Sequence, residues 1–259
     1  METKEIIKTF DLTKVYGKET AVDHLNFAVR EGEIFGFLGP NGAGKTTTLL
    51  MLLGLSEPTY GRAFVAGYDP VREPLEIKKV VGYLPENVGF YHDLSPVETL
   101  QFIGELNELP HRELQRRIDE LLTMVGLSKD RYKKVGAFSR GMKQRLGIAE
   151  VLIKEPKVLF LDEPTLGLDP EGSRDLIELI KRLNQEKGIT VLVSSHNLPQ
   201  VEEISHRIGV MIMGRLIAVG SMEELGREKL GVGEGEYSLE ELYHLYFEEE
   251  GNERVRTYN

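Results

Sequence analysis

Hydrophobic residues in this chain come in short runs of two kinds, one alternating or continuous as in strands and one spaced as on a helix face. Ile6–Phe10 (IIKTF), Ala21–Val29 (AVDHLNFAV) and Glu33–Leu38 (EIFGFL) read as three strands, separated by the turn-forming YGKET and REGE. The third strand runs straight into GPNGAGKT. The TTLLMLLGL that follows has helical spacing and ends at Gly54. Short strands come next, around Arg62–Ala66 and Val80–Leu84, with glycine and proline between them.

From Ser95 the pattern becomes helical. Ser95-Pro96-Val97-Glu98 places an N-cap serine before a proline at the first helical position and a glutamate at the third. Helical spacing then continues through Leu100–Leu106 and Leu114–Val125, which predicts a helical insert over about 90–150. Strand and helix alternate again afterwards: VLFLD, a helix over Asp175–Glu186, ITVLVSS, and a helix from Leu198. This alternation predicts an α/β fold with a mostly parallel sheet covered on both faces. IGVMIMGRLIAVG reads as a hairpin turning at Gly214-Arg215. The acidic, glycine-rich GVGEGE and a short helix in SLEELYHLYFEEE follow. The expected organisation is a main domain over 1–220 and a small carboxy-terminal appendage over 221–259.

Composition narrows the class. The 259 residues suffice for a sizeable core, and 41% hydrophobic with 29% charged residues is a globular balance. No apolar run approaches the roughly 20 residues of a membrane span, and METKEIIKTFDL lacks a signal core, so a cytosolic protein is expected. The absence of cysteine excludes disulfides, thiolate metal sites and cysteine nucleophiles. A net charge of −10 argues against broad nucleic-acid binding, and no nucleic-acid partner is expected.

Two segments carry chemistry. Gly39-Pro40-Asn41-Gly42-Ala43-Gly44-Lys45-Thr46, between a strand and a helix, satisfies the Walker A pattern. Its glycines let backbone N–H groups converge on phosphate oxygens, and the helix dipole adds to the anion site. Lys45 is positioned for the β- and γ-phosphates and Thr46 for Mg²⁺, with Thr47 next in line. Val158–Glu163 (VLFLDE) is an apolar strand ending in two carboxylates, as a Walker B does. Asp162 suits Mg²⁺, a hard cation that takes oxygen ligands. Glu163 is placed to orient the attacking water or accept its proton.

With these motifs in order, the sequence resembles the ATPase subunit of an ABC transporter over nearly all of residues 5–220. Phe138-Ser139-Arg140-Gly141-Met142-Lys143-Gln144-Arg145 resembles the family's LSGGQ-type signature, keeping Ser139 and Gly141 but departing at Phe138, Arg140 and Met142-Lys143. Tyr16 resembles the adenine-stacking aromatic, Gly167-Leu168-Asp169-Pro170 the D-loop, and His196 the switch histidine. Gly82-Tyr83-Leu84-Pro85-Glu86 resembles the Q-loop with Glu86 in place of glutamine, a substitution that adds negative charge beside the phosphates. It is frequent in the branch resembling antibiotic and multidrug exporters.

The resemblance implies a P-loop NTPase fold of the ABC ATPase type, with a mostly parallel core sheet, an antiparallel amino-terminal β subdomain and a helical insert. It implies ATP and Mg²⁺ as cofactors, with Thr46, Asp162 and Glu86 toward the metal. Lys45, Glu163 and His196 become the catalytic set, and Tyr16, Gly39–Thr47, Ser139, Gly141 and Asp169 the nucleotide contacts. It also implies a head-to-tail homodimer when ATP is bound, and a separate membrane permease contacted around Asn87–Leu94. The protein would then lie peripherally on the cytoplasmic face of the cell membrane and drive export. The alternatives are a soluble ABC-type ATPase acting on DNA or ribosomes and a P-loop kinase or GTPase. Tandem cassettes and long coiled-coil insertions are absent, which disfavours the former; Ser139, His196 and the lack of an Asn-Lys-x-Asp motif disfavour the latter.

Overall fold

The structure, a computed structural model, describes residues 4–231 and 237–257. In chain order it begins with β1 (Glu5–Tyr16), β2 (Glu19–Leu25), β3 (Ala28–Arg30), β4 (Ile34–Leu38), α1 (Lys45–Leu52), β5 (Tyr60–Val65) and α2 (Pro74–Val80). There follow β6 (Val81–Leu84), α3 (Pro96–Leu106), α4 (His111–Met124), α5 (Arg140–Leu152), β7 (Val158–Asp162) and α6 (Pro170–Lys187). The last elements are β8 (Thr190–Ser195), α7 (Leu198–Ile204), β9 (Arg207–Ile212), β10 (Arg215–Gly220), α8 (Met222–Leu230) and α9 (Leu239–Thr257). These elements form two compact units, Met1–Ile77 with Thr190–Asn259, and Lys78–Ile189.

In the first unit, β1 is the centre of an antiparallel sheet and pairs with β2, β3 and β5. The same unit holds β4 between two parallel neighbours, β8 and β9, with β10 antiparallel to β9. Every residue of β4 and β8 is buried, which is why both read as continuous apolar runs instead of alternating ones. In the second unit β6 and β7 pair in parallel, from Val81 opposite Val158 to Leu84 opposite Leu161. The helices α3, α4, α5 and α6 belong to this unit, and the expected helical region lies within it. The capping box at Ser95 forms as read: Ser95 Oγ accepts from Glu98 N–H at 3.3 Å, and Glu98 Oε2 accepts from Ser95 N–H at 2.7 Å. Those bonds, with Lys134 beside them, hold the Glu98 carboxyl down at about 2.

Several expected boundaries move, each for a local reason. The single strand expected over 21–29 is broken at Asn26. There the side-chain oxygen of Asn26 accepts from Asp11 N–H at 2.8 Å, replacing a ladder bond, and both Asp11 and His24 take a positive φ of 47°. The turn read as YGKET shrinks to Gly17 and Lys18, because β1 runs on through Tyr16. The hairpin turns on Met213-Gly214, one residue before the expected pair, with φ of 48° and 84° and Arg215 paired to Ile212. Two successive positive φ values are what a two-residue hairpin turn requires. Helix α6 opens at Pro170, five residues before the expected start, because Asp169 caps it by accepting from Gly172 N–H.

The carboxy-terminal segment is more structured than its reading. Helix α8 has no counterpart in the expectation, and α9 extends well beyond a short helix. All but the first residue of GVGEGE lies outside the described residues. Leu225 of α8 and Leu239, Leu242 and Tyr246 of α9 join a buried cluster with Leu38, Val201, Ile208 and Val210. Gly226 is the hinge of this packing, since a β-carbon there would lie 1.8 Å from the Tyr237 ring, whose hydroxyl donates to Met222 O at 2.6 Å.

Gly226→Ala is therefore expected to cost about 1–3 kcal/mol by overpacking, relieved when Tyr237 is also changed to alanine. Gly231→Ala meets nothing within 4 Å, but its φ of 69° costs about 1–2 kcal/mol that Tyr237→Ala does not relieve. Thermal unfolding of the two glycine variants, of Tyr237→Ala and of the two double variants separates the two mechanisms.

Candidate nucleotide site

In the first unit, the buried β4 ends at Leu38 and the chain enters the glycine-rich loop before α1. Gly44 stands at the N-cap with φ of 101°, and no side chain caps the first turn of α1. The opening of the helix is thus left to backbone N–H groups, the arrangement that binds anions. The loop's glycines do two different jobs. At Gly39 a β-carbon would lie 2.2 Å from Met211 O, and at Gly44 it would lie 2.4 Å from Ala21 O, so both are required by close backbone approach. Gly42, with φ of 81°, meets nothing within 4 Å and faces open space.

The loop is also braced from outside. Gly214 N–H in the β9–β10 turn donates to Ala43 O at 2.9 Å, and Gly39 N–H donates to Ser195 O at 3.4 Å. That second bond brings the end of β8, and with it His196, to the start of the loop. Lys45 is 6% exposed, and its Nζ donates to Gly39 O at 2.6 Å and Pro40 O at 3.2 Å, folding the ammonium back across the loop. Thr46 is exposed, Thr47 half-buried, and Thr48 turns inward to bond Gly44 O. Tyr16 ends β1 half exposed, with Lys14 Nζ 4.9 Å from its ring centroid.

The second unit holds the acidic residues. Asp162 and Glu163 at the end of β7 are 3% and 7% exposed. Glu163 takes φ of 46°, a left-handed conformation that costs a non-glycine residue about 1–2 kcal/mol and recurs at functional positions. Tyr83 on β6 shares this environment. Burial, then the Asp162 and Glu86 carboxylates, push its hydroxyl up to about 12. Glu86 is half-buried after β6, with Oε1 accepting from Asn87 Nδ2 at 3.4 Å.

Ser139 caps α5 by accepting from Met142 N–H at 3.3 Å. Gly141 has room for a side chain, since a β-carbon there meets only Leu168 Cδ2 at 3.8 Å. Gly167 takes φ of 71°, a conformation that favours glycine, and the Arg140 guanidinium lies 2.6 Å from where its β-carbon would be. Asp169 is exposed at the start of α6.

Tyr83 and Gln144 are the site-lining residues that the sequence reading did not single out. Gln144 is 2% exposed, and its Oε1 has no hydrogen-bond partner among the described residues. It lines a hollow with Glu86, Asn87, Val88, Arg140 and Lys143. The period of two along Gly82-Tyr83-Leu84 could have set Tyr83 on the face opposite its neighbours. Nothing short of packing reveals its proximity to Asp162.

A phosphate loop opening a helix, with an acidic residue pair ending a buried parallel strand, defines a P-loop nucleoside-triphosphate hydrolase. Comparison with known proteins narrows this further. Residues 22–166 match the ABC transporter family. The bacitracin transport ATP-binding protein of Bacillus licheniformis is 46% identical over 212 residues, covering 82% of this chain and 68% of that protein. The linearmycin resistance ATP-binding protein of Bacillus subtilis is 39% identical over 220 residues, 85% of this chain and 70% of that protein. Among solved structures, an ATP-binding subunit of an ABC transporter has a TM-score of 0.83 at 30% identity, covering 93% of this chain and 99% of that one. A dimeric ATP-binding cassette in a post-hydrolysis state, bound to ADP and Pi, has a TM-score of 0.75 at 26% identity, covering 83% and 98%. The chain belongs to the ABC transporter family, as an ATP-binding subunit that hydrolyses ATP to energise transport.

Because Asp162 and Glu86 act on Tyr83 through their charge, Glu86→Gln and Asp162→Asn are each expected to lower the Tyr83 hydroxyl from about 12 toward its ordinary 10. Ultraviolet difference titration against a Tyr83→Phe reference reads the change. An unchanged titration in both variants would show that burial acts alone.

Proposed function

We propose that this subunit drives export through a separate membrane permease, as a homodimer that closes around ATP and Mg²⁺. The observation that carries the hydrolytic part is the buried Asp162–Glu163 pair, with Glu163 held in a strained left-handed conformation at the end of β7. A carboxylate kept there against its backbone preference is suited to accept a proton from, or orient, the attacking water. Lys45 neutralises the β- and γ-phosphates once it leaves the loop carbonyls, and α1 offers its uncapped N–H groups to the same anion. His196, at the end of β8, contacts the phosphate being transferred. Tyr16 contributes an exposed ring for the base.

The donor set fits Mg²⁺. The Thr46 hydroxyl and the carboxylates of Asp162 and Glu86 are all hard oxygen ligands, the type this ion prefers. When bound, the ion neutralises charge on the phosphates. Ser139 and Gly141 complete the partner copy's site, a role supported by the room left at Gly141 and by the dimeric cassette among the structural relatives. Asp169 would lie beside the same shared interface. No helix among the described residues is long and apolar enough to cross a membrane, so attachment to the cytoplasmic face would run through the permease, with Asn87–Leu94 as the contact segment. The export direction is supported by the two relatives named for bacitracin transport and linearmycin resistance.

Glu163→Gln is expected to lower kcat by about 10²–10⁴-fold while ATP binding persists. With ATP and Mg²⁺ it should elute as a nucleotide-loaded dimer on sizing chromatography, and elution as a nucleotide-free monomer would sink the mechanism. Glu86→Gln and Glu86→Ala test the metal assignment separately. A shifted Mg²⁺ dependence of ATPase in either supports it, and identical dependence in both removes Glu86 from the metal.

A further inference from the structure

His196 is exposed, between Ser195 (3% exposed) and Asn197. Asn197 ties the two sides together. Its N–H donates to Ser195 Oγ at 3.0 Å, and its side-chain oxygen caps α7 by accepting from Gln200 N–H at 3.2 Å. The placement of His196 therefore follows the seating of α7. That helix has seven residues, well below the roughly 12–15 at which an isolated helix persists, so its seat is set by what packs on it.

Two surfaces hold it. Toward β4, a β-carbon at Gly36 would lie 2.5 Å from both Val201 Cγ1 and Ser205 Oγ, so α7 lies directly on the strand that feeds the phosphate loop. The other is α9. Its residues Leu239 and Leu242 are fully buried with Val201, and Leu198 of α7 packs on the same cluster. A polar tie joins these helices as well, Leu239 N–H donating to Glu202 Oε2 at 3.0 Å. An amide in the first turn of a helix has no intrahelical acceptor, and a carboxylate is favoured there by the helix dipole. Glu202 thus fastens the start of α9 to the helix that follows His196.

We propose that Glu202 is a positioning residue for ATP hydrolysis: by holding α9 against α7 it fixes the seat of α7 and, through Asn197, the His196 side chain. This rests on the reading above that His196 takes part in hydrolysis. It makes the carboxy-terminal segment a support for the phosphate end of the site.

The test is a double-mutant cycle in the full-length protein, reading steady-state ATPase and thermal unfolding for Glu202→Ala, His196→Ala and the pair. Glu202→Ala is expected to lower kcat about three- to tenfold, with KM for ATP within about twofold. Glu202→Gln, whose amide oxygen still accepts from Leu239 N–H, should restore kcat to within about twofold. In the His196→Ala background, Glu202→Ala should change kcat by less than about 1.5-fold, because its route to the reaction is already gone. Equal loss in both backgrounds overturns the proposal, as does a normal kcat in Glu202→Ala. If His196→Ala itself turns over like the parent, the reading of His196 falls and takes the proposal with it, a result distinct from an additive cycle. Glu202→Asp keeps the charge and shortens the reach, and runs the same cycle should Glu202→Ala fail to fold.

Discussion

The feature on which the nucleotide-facing half depends is the close backbone approach at the end of β4. Gly39 lies against Met211 O and Gly44 against Ala21 O, each too near for any side chain. The loop is therefore wedged between β9 on one side and β2 on the other before any phosphate arrives. The β9–β10 turn adds a third brace through Gly214 N–H to Ala43 O, and its own backbone takes positive φ at Met213 and Gly214 to reach there. A preorganised anion site needs its donors fixed in advance, since dipoles that must reorganise lose much of their worth. Here the fixing comes from β2, β9 and the β9–β10 turn. Gly42 alone is left facing open space, and it is the loop glycine whose missing side chain serves no contact within the chain.

The second unit is organised around the opposite problem, a concentration of negative charge with little water. Asp162 and Glu163 are almost fully buried, and Glu86 is half-buried near enough to act on Tyr83. The raised Tyr83 hydroxyl records this field: a further negative charge there would face both burial and two carboxylates. A glutamine at position 86 would remove one of those two charges. The left-handed φ of Glu163 adds a conformational cost to the burial of its carboxylate.

How much of this was legible in the sequence depended on whether local pattern or distant packing decided each element. The phosphate loop, the acidic strand end and the Ser95 cap are local, and their residues alone carry them. The break between β2 and β3 was not legible, because it turns on Asn26 answering Asp11 fifteen residues away. Helix α8 was hidden by Gly226 at its middle, a residue that argues against a helix until the Tyr237 ring is seen occupying its missing side chain. The signature segment shows the limit most clearly. Gly141 and Gly167 look alike in sequence, yet only Gly167 takes a positive φ, 71°, with the Arg140 guanidinium beside it. Arg140, a departure from the resembled pattern, thus has its own packing partner within the chain.

Leu38 draws the first unit together. It is the last residue of β4, one position before Gly39, and it is also a member of the cluster formed by Val201, Leu225, Leu239 and Leu242. Burying each such leucine contributes about 1.5–3 kcal/mol, so the cluster is a substantial part of what holds the unit folded. The carboxy-terminal helices are thereby packed against the root of the phosphate loop and against the helix that follows His196. Densely packed interiors transmit displacement because they contain few voids to absorb it. Leu239 of α9 is tied to Glu202 of α7, and α7 in turn lies directly on Gly36 of β4. Residues far from the phosphate motifs in sequence are thus packed in continuity with the strand that leads into Gly39.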